Sequence, residues 1–335
     1  MGPYPLCCSD ISLIVSFKTR FYQVHMEILF QSVGPGVHCY SPFLKSSARD
    51  TSINLEELCK NTILKCITLR RLAAAVIKLP LPKRLLRYIT ELSTTDFEQI
   101  ECAPFCDVFS VNFFHRALTY RVTCLHDQQE YIITYGYSPI EDEKLKAGHE
   151  EWVKVQHKNV MCICATVKDP STDNVFYVYD QPYASLEQLW SVFCEKNCTV
   201  PEAFFARLTA DICEALKHIL LNGLDYAHFG LDNVFIAHDR LVLENGLMRK
   251  YTKFAPDRSK RDCSKEESML RDIVNILKCL LKDYDVQFSH AETIRTLISD
   301  IEKQNSFNGV LQTLSTSIDG INEFSFVKLI HSLQA

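Results

Sequence analysis

An α+β fold is the class this sequence predicts, and three patterns carry the prediction. Residues 10–30 alternate apolar and polar through Ile11, Leu13, Val15 and Phe17, turn at Lys18 to Arg20 and alternate again, the pattern of a β-hairpin. From Asn54 to Leu92 the apolar spacing lengthens to that of a helix, interrupted at Pro80 and Pro82, where a helix cannot continue. Beyond Ser93 strands come first (97–135), then one helix, two strands (161–179) and long helices. Strands and helices are therefore largely segregated along the chain.

The 335 residues suffice for one ordinary domain of roughly 230 residues and a smaller module. With 47% hydrophobic and 23% charged residues the composition is globular. A net charge of -5 gives no basic field for nucleic acid, and no polybasic run faces a membrane, so proteins are the expected partners. The 15 cysteines are irregularly spaced, and no signal-type apolar stretch opens the chain, which points to reduced thiols in the cytoplasm. Cys7 beside Cys8, and Cys162 near Cys164, lack the paired spacing of a zinc site, so neither metal nor cofactor is expected. Three segments follow: 1–50, a hairpin and a Ser-rich linker; 51–93, helical; and 97–335, the large mixed unit.

In SINLEELCKNTI, Leu55, Cys59 and Ile63 recur every four residues and share one stripe of a helix. Asn54 can cap that helix, and Glu57 three residues on completes a capping box. Taken alone the stripe also fits plain core. A second motif follows, LPLPKRLLRY from Leu79 to Tyr88, where two prolines hold an extended apolar turn before a new helix with Leu85, Ile89 and Leu92 on one face. In this order, about forty residues resemble the SOCS box, whose first part binds elongin C and whose LPLP part selects cullin-5. The resemblance implies elongin C contacts at Leu55, Cys59 and Ile63. It implies cullin-5 contacts at Leu79, Pro80, Leu81, Pro82 and Leu85. Asn54 departs from the family's usual Ser, Thr, Ala or Pro, although Asn caps equally well.

The hairpin ISLIVSF…FYQVHMEI followed by VHCYSP resembles the later strands of a Src-homology-2 domain. Only about ten residues precede it here, so the resemblance implies a truncated remnant that lacks the phosphotyrosine-binding strand with its buried Arg.

From Phe97 the sequence FEQIECAPFCDVFSV resembles the opening strands of a protein kinase, with Glu101, Ala103 and Cys106 at the three positions of the phosphate-covering glycines. Only glycine leaves room for close backbone approach to phosphate. Thr123 stands at the lysine position fifteen residues after Val108, and Thr supplies no cation. The helix glutamate falls at Gly148, with Glu150 and Glu151 close enough to leave the register open, ahead of His157, Asn159 and Val160. VFYVYDQP matches the fifth strand and hinge. FFARLTADICEALKHILLNG matches the long helix, with Phe205, Leu208, Ile212, Leu216 and Ile219 on its apolar face. GLDYAHFGLDNVFI aligns on the catalytic loop, where Tyr226, Ala227 and His228 replace His, Arg and the catalytic Asp and only Asn233 remains. In LVLENGLMR, Glu244 replaces the metal-binding Asp, and its extra methylene displaces the carboxylate from an octahedral site. Asp272 matches the helix Asp that steadies the catalytic loop.

Together the resemblances imply a bilobal kinase-like fold preceded by a small helical SOCS box and a hairpin remnant. They imply a non-enzymatic adaptor that binds elongin B/C and cullin-5 and presents an unknown protein target. Two alternatives stand beside it: a pseudokinase regulator acting allosterically on a partner kinase, and a residual nucleotide-binding kinase.

Overall fold

A six-stranded sheet is the organising element of the structure, a computed structural model that describes residues 55–100, 119–137, 149–196, 198–226, 229–249, 264–284, 291–317 and 324–334. The hairpin at 10–30, the linker at 39–52, Asn54, the glycine-loop positions Glu101, Ala103 and Cys106, and Ala227 and His228 lie outside the described residues. So does Gly148. Every described residue belongs to one compact unit spanning Phe43–Ala335. The sheet comprises β1 (Leu92–Ser93), β2 (Phe97–Gln99), β3 (Thr119–Cys124), β4 (Glu130–Tyr137), β5 (Ile163–Lys168) and β6 (Val175–Asp180), in the order β1-β5-β6-β4-β3-β2. Only β1 runs parallel to its neighbour, with Leu92 opposite Val167; the other pairs are antiparallel. The expected segregation of strands and helices is observed, and the fold is α+β.

The central strands EYIITYGY and VFYVYD are apolar almost throughout because both of their faces are covered. Tyr131, Ile133, Phe176 and Val178 point to one side, and Ile132, Val175, Tyr177 and Tyr179 to the other. The register shifts between Tyr135 and Tyr137, and a Cβ on Gly136 would meet the Tyr177 ring at 2.7 Å and the Val175 carbonyl oxygen at 2.8 Å. Only glycine fits this bulge.

Three helices cover the first face: α1 (Leu55–Cys66), α2 (Leu69–Val76) and α3 (Lys83–Thr90). Their Leu64, Leu69, Leu72, Val76 and Ile89 share one cluster with Val122, Cys124, Tyr131, Val167, Phe176 and Val178 of the sheet. Each such fully buried aliphatic contributes on the order of 1.5–3 kcal/mol. Polar ties reinforce the packing. The Leu69 backbone N–H at the start of α2 donates to Asp127 Oδ2 at 3.1 Å, an oxygen that also accepts from Tyr131 Oη at 2.7 Å. Arg70 pairs with Asp180 at the end of β6.

On the second face lies a smaller sheet, β7 (Ala184–Ser185), β8 (Val234–Ala237) and β9 (Arg240–Leu243), in the order β7-β8-β9. Phe235, Ala237 and Val242 from this sheet close a second apolar cluster with Ile132, Tyr177 and Tyr179. The remaining helices are α4 (Leu186–Lys196), α5 (Glu202–Leu221), α6 (Lys265–Tyr284), α7 (Ala291–Glu302), α8 (Phe307–Ser317) and α9 (Phe326–Gln334). They bury a third cluster, in which the expected α5 stripe of Phe205, Leu208, Ile212, Leu216 and Ile219 is wholly buried. Met269, Ile273 and Leu277 of α6 pack against it.

Candidate functional site

Two regions hold the sequence-predicted positions: the outer surface of α1 to α3, and the polar interior around β8 and β9.

On α1, Leu64 and Lys60 point inward while Leu58, Cys59, Thr62 and Cys66 are exposed. Leu55 is the first residue of the helix. Along the predicted stripe, Cys59 is therefore open to solvent and Ile63 is half-buried against the edge of the outer cluster. Two cross-links bring the second motif to this helix. Tyr88 Oη donates to Glu57 Oε2 at 2.5 Å, and Lys60 Nζ donates to the Glu91 carbonyl at 2.5 Å while lying 5.0 Å from the Tyr88 ring centre. In the turn, Leu79, Leu81 and Leu85 are half-buried, and Pro80 and Pro82 are exposed. Pro82 occupies the N-cap of α3, its carbonyl accepting from the Leu85 and Leu86 backbone N–H groups at 2.9 and 3.1 Å. A proline here costs the helix no hydrogen bond, because the first amides have no internal partner.

The interior region is built around Glu244 and Asn233, both buried. Asn233 Nδ2 donates to Glu244 Oε2 at 2.7 Å, and the Glu244 backbone N–H donates to the Asn233 carbonyl at 2.9 Å. Asn233 Oδ1 is occupied as well, accepting from the Gly230 N–H at 2.9 Å. Tyr226 donates its phenol to the Glu244 carbonyl at 2.7 Å. Beyond Glu244 comes Asn245, whose Nδ2 donates to the Met161 carbonyl at 3.3 Å and whose Oδ1 accepts from the Leu247 N–H at 3.0 Å. Next is Gly246, where a Cβ would lie 2.3 Å from the Trp152 ring. The side chains of this network are turned on one another and on backbone.

Asn159 ties the preceding segment to β9: its backbone carbonyl accepts from Leu243 at 2.8 Å and its Nδ2 donates to Leu241 at 2.8 Å. Asp211 of α5 accepts from the Leu241 N–H at 2.9 Å and pairs with Arg207 at 3.1 Å. Burial pushes the Asp211 carboxyl upward, against the lowering effect of those two partners. Asp272 is also buried.

Thr123 sits near the end of β3 in the six-stranded sheet, in register with Glu98 and Glu130, whereas Asn233 and Glu244 flank β8 and β9 of the smaller sheet. Among the described residues, no group of three or more His, Cys, Asp and Glu side chains is placed to hold a metal ion, and no helix is long and apolar enough to cross a membrane. Sequence reasoning missed Trp152, Asp211 and the contacts of Tyr226. Trp152 is one of only two tryptophans in the chain, which was the available signal. Asp211 stands amid the apolar FFARLTADICEAL run, where a lone acid on a buried face invites a search for its partner.

Compared with known proteins, the sequence matches no family model and no curated protein.

Proposed function

We propose that this chain is a non-catalytic adaptor: residues 55–93 recruit elongin B/C and cullin-5, and the larger kinase-like part presents a protein target for ubiquitination. The observation that carries this is the orientation of the two motifs. Cys59 on α1, and Pro80 and Pro82 in the turn, face solvent, while Leu64, Leu72 and Ile89 of the same three helices serve as core. A stripe whose only role was packing would leave no thiol on the open side. A small exposed side chain on a helix lets an apolar groove approach closely.

An inactive kinase-like part is supported by chemistry at three places. Counted from Phe97 among the described strands, β6 is the fifth, β4 the third and β3, which carries Thr123, the second. Kinases carry the phosphate-binding lysine on their third strand. Neither β4 (EYIITYGY) nor β3 (TYRVTC) holds a lysine, and Thr134 stands on the inner face of β4 beside the Tyr179 phenol. Asn233 spends both ends of its amide inside the protein, so it offers a cation no open oxygen. Ile132, Tyr177, Tyr179, Phe235 and Val242 fill the space between the two sheets with side chains that are at most 5% exposed.

Recruitment is tested by copurification. The full chain is expected to bring down elongin B and elongin C, and a Leu55→Ser, Cys59→Asp double variant to lose both, because interface energy concentrates in a few central anchors. Undiminished capture by the double variant rejects the assignment. Inactivity is tested by thermal denaturation with magnesium and ATP, where no rise in Tm is expected; a clear rise means that the folded protein binds nucleotide.

A further inference from the structure

Just before β5, residues 159–161 are tied to β9 of the smaller sheet. The Asn159 carbonyl accepts from the Leu243 N–H at 2.8 Å, the Met161 N–H donates to the Leu243 carbonyl at 2.8 Å, and Asn159 Nδ2 donates to the Leu241 carbonyl at 2.8 Å. Leu243 leads directly into Glu244 and its bond to Asn233. Asn159 is wholly buried, so its own N–H needs an acceptor as well. That acceptor is a titratable group, for the N–H donates to Nδ1 of His157 at 3.2 Å.

An imidazole that accepts at Nδ1 is neutral, with its proton on Nε2. The His157 ring also stacks on His218, in the last turn of α5, with centroids 4.7 Å and planes 19° apart. Both residues are half-buried. The charged groups that act on His157 are His218 and Glu214 of α5, Arg240 of β9 and the adjacent Lys158, and among these described groups only Glu214 is an anion. Asp211, one turn before Glu214 on α5, is taken by the Leu241 N–H and Arg207. Burial first, and His218 next, hold the His157 imidazole below its usual value against the opposing effect of Glu214.

We propose that His157 and His218 form a pH-sensitive latch, which holds residues 159–161 on β9 while the stacked rings are neutral and releases them when the pair is protonated. A proton on Nδ1 turns the acceptor of Asn159 into a second donor, and the buried N–H loses its partner. Two stacked imidazolium rings also repel, and Arg240 and Lys158 add to the repulsion. A histidine whose folded value lies below its unfolded one, about 6.5, contributes stability that is fully present above that pH. This stability is lost as the pH falls through the folded value. None of the recruiting motifs takes part in the latch.

The test is amide hydrogen exchange of the full chain at pH 7.5 and pH 5.5, each rate corrected for its intrinsic pH dependence. Protection of the Asn159, Met161 and Leu243 amides is expected to fall at least about threefold on acidification, against a ceiling of about tenfold for each imidazole over this range. Amides of α6 such as Ile273 and Leu277 are expected to hold. His157→Asn keeps a neutral acceptor but does not titrate, so its protection is expected to be independent of pH. His218→Phe keeps the stack without the second charge, and a smaller fall than in wild type is expected. Unchanged protection in the wild type overturns the inference, whatever the variants do. So does a fall shared equally by the α6 amides, which would mean that acid loosens the fold as a whole, or a fall that persists undiminished in His157→Asn.

Discussion

Asp96 shows how a buried carboxylate is kept ionised at the joint between α3 and the sheet. Its Oδ2 accepts from the Ser93 backbone N–H at 2.8 Å, and its Oδ1 lies 3.1 Å from His126 Nε2. Burial alone would raise the carboxyl, but the hydrogen bonds from His126 and Ser93, with the charges of His126 and Lys60, outweigh it and hold the group below its usual value. A folded-state value below the unfolded one means stability that is fully present above about pH 4 and lost as the pH falls through the folded value. Urea denaturation of the wild type is therefore expected to show acid-side loss below about pH 4 that is smaller in Asp96→Asn. An equal acid slope in both proteins would place the effect elsewhere. Glu244 Oε2 and Asn233 Nδ2, both buried, satisfy one another in the same way.

Among the elements, the β8–β9 turn has the most to hold. His238 and Asp239 take φ values of 50° and 62°, as a two-residue turn between Ala237 and Arg240 requires. Neither is the glycine that would adopt this conformation without strain. Each side chain is used: His238 Nε2 lies 3.2 Å from Asp180 Oδ2, and Asp239 Oδ1 accepts from Ser325 Oγ at 2.8 Å and from the Val327 N–H at 2.9 Å. Asp239 thus caps α9 from 88 residues away in sequence. Replacing it with Gly is expected to cost about 1 kcal/mol, the worth of a cap. Asp239→Ala is expected to cost about 1–2 kcal/mol more, because Ala must also be forced into the left-handed region. Denaturation midpoints of the two variants check the order; equal losses would mean that the turn is not strained.

At the scale of the molecule, α1 to α3 are not an appendage. Leu64, Leu69, Leu72, Val76, Ile89 and Leu92 share their cluster with Phe97 and with the four central strands of the sheet, and β1 extends that sheet as a parallel edge. Residues 51–93 expressed alone would expose this apolar face, and such a fragment is too small to close a core of its own. It is expected to show little helical circular dichroism, with the helices recovered in the full chain. A cooperatively folded fragment would mean that the sheet is dispensable to it. The three helices are thereby held at a set orientation to the sheet that carries them.

Much of the architecture was legible in the residues themselves. Periodicity is a local property, so the α5 stripe, the strand VFYVYD, the helix at Leu55 and the proline break at Pro80 and Pro82 followed from spacing and steric limits. What spacing could not assign was partnership: that Asp127 caps α2, that Asp239 caps α9, that Tyr88 reaches Glu57, and that Asn233 turns both amide ends inward. Nor could it say that Cys59 faces solvent while Ile63 lies at the edge of a core, because a helical stripe acquires an inside only when something packs against it. The sequence alone determined which segments become helix or strand. Only the tertiary structure decided what each polar group bonds and which face of α1 is left open, because those depend on residues that meet across tens of positions of chain.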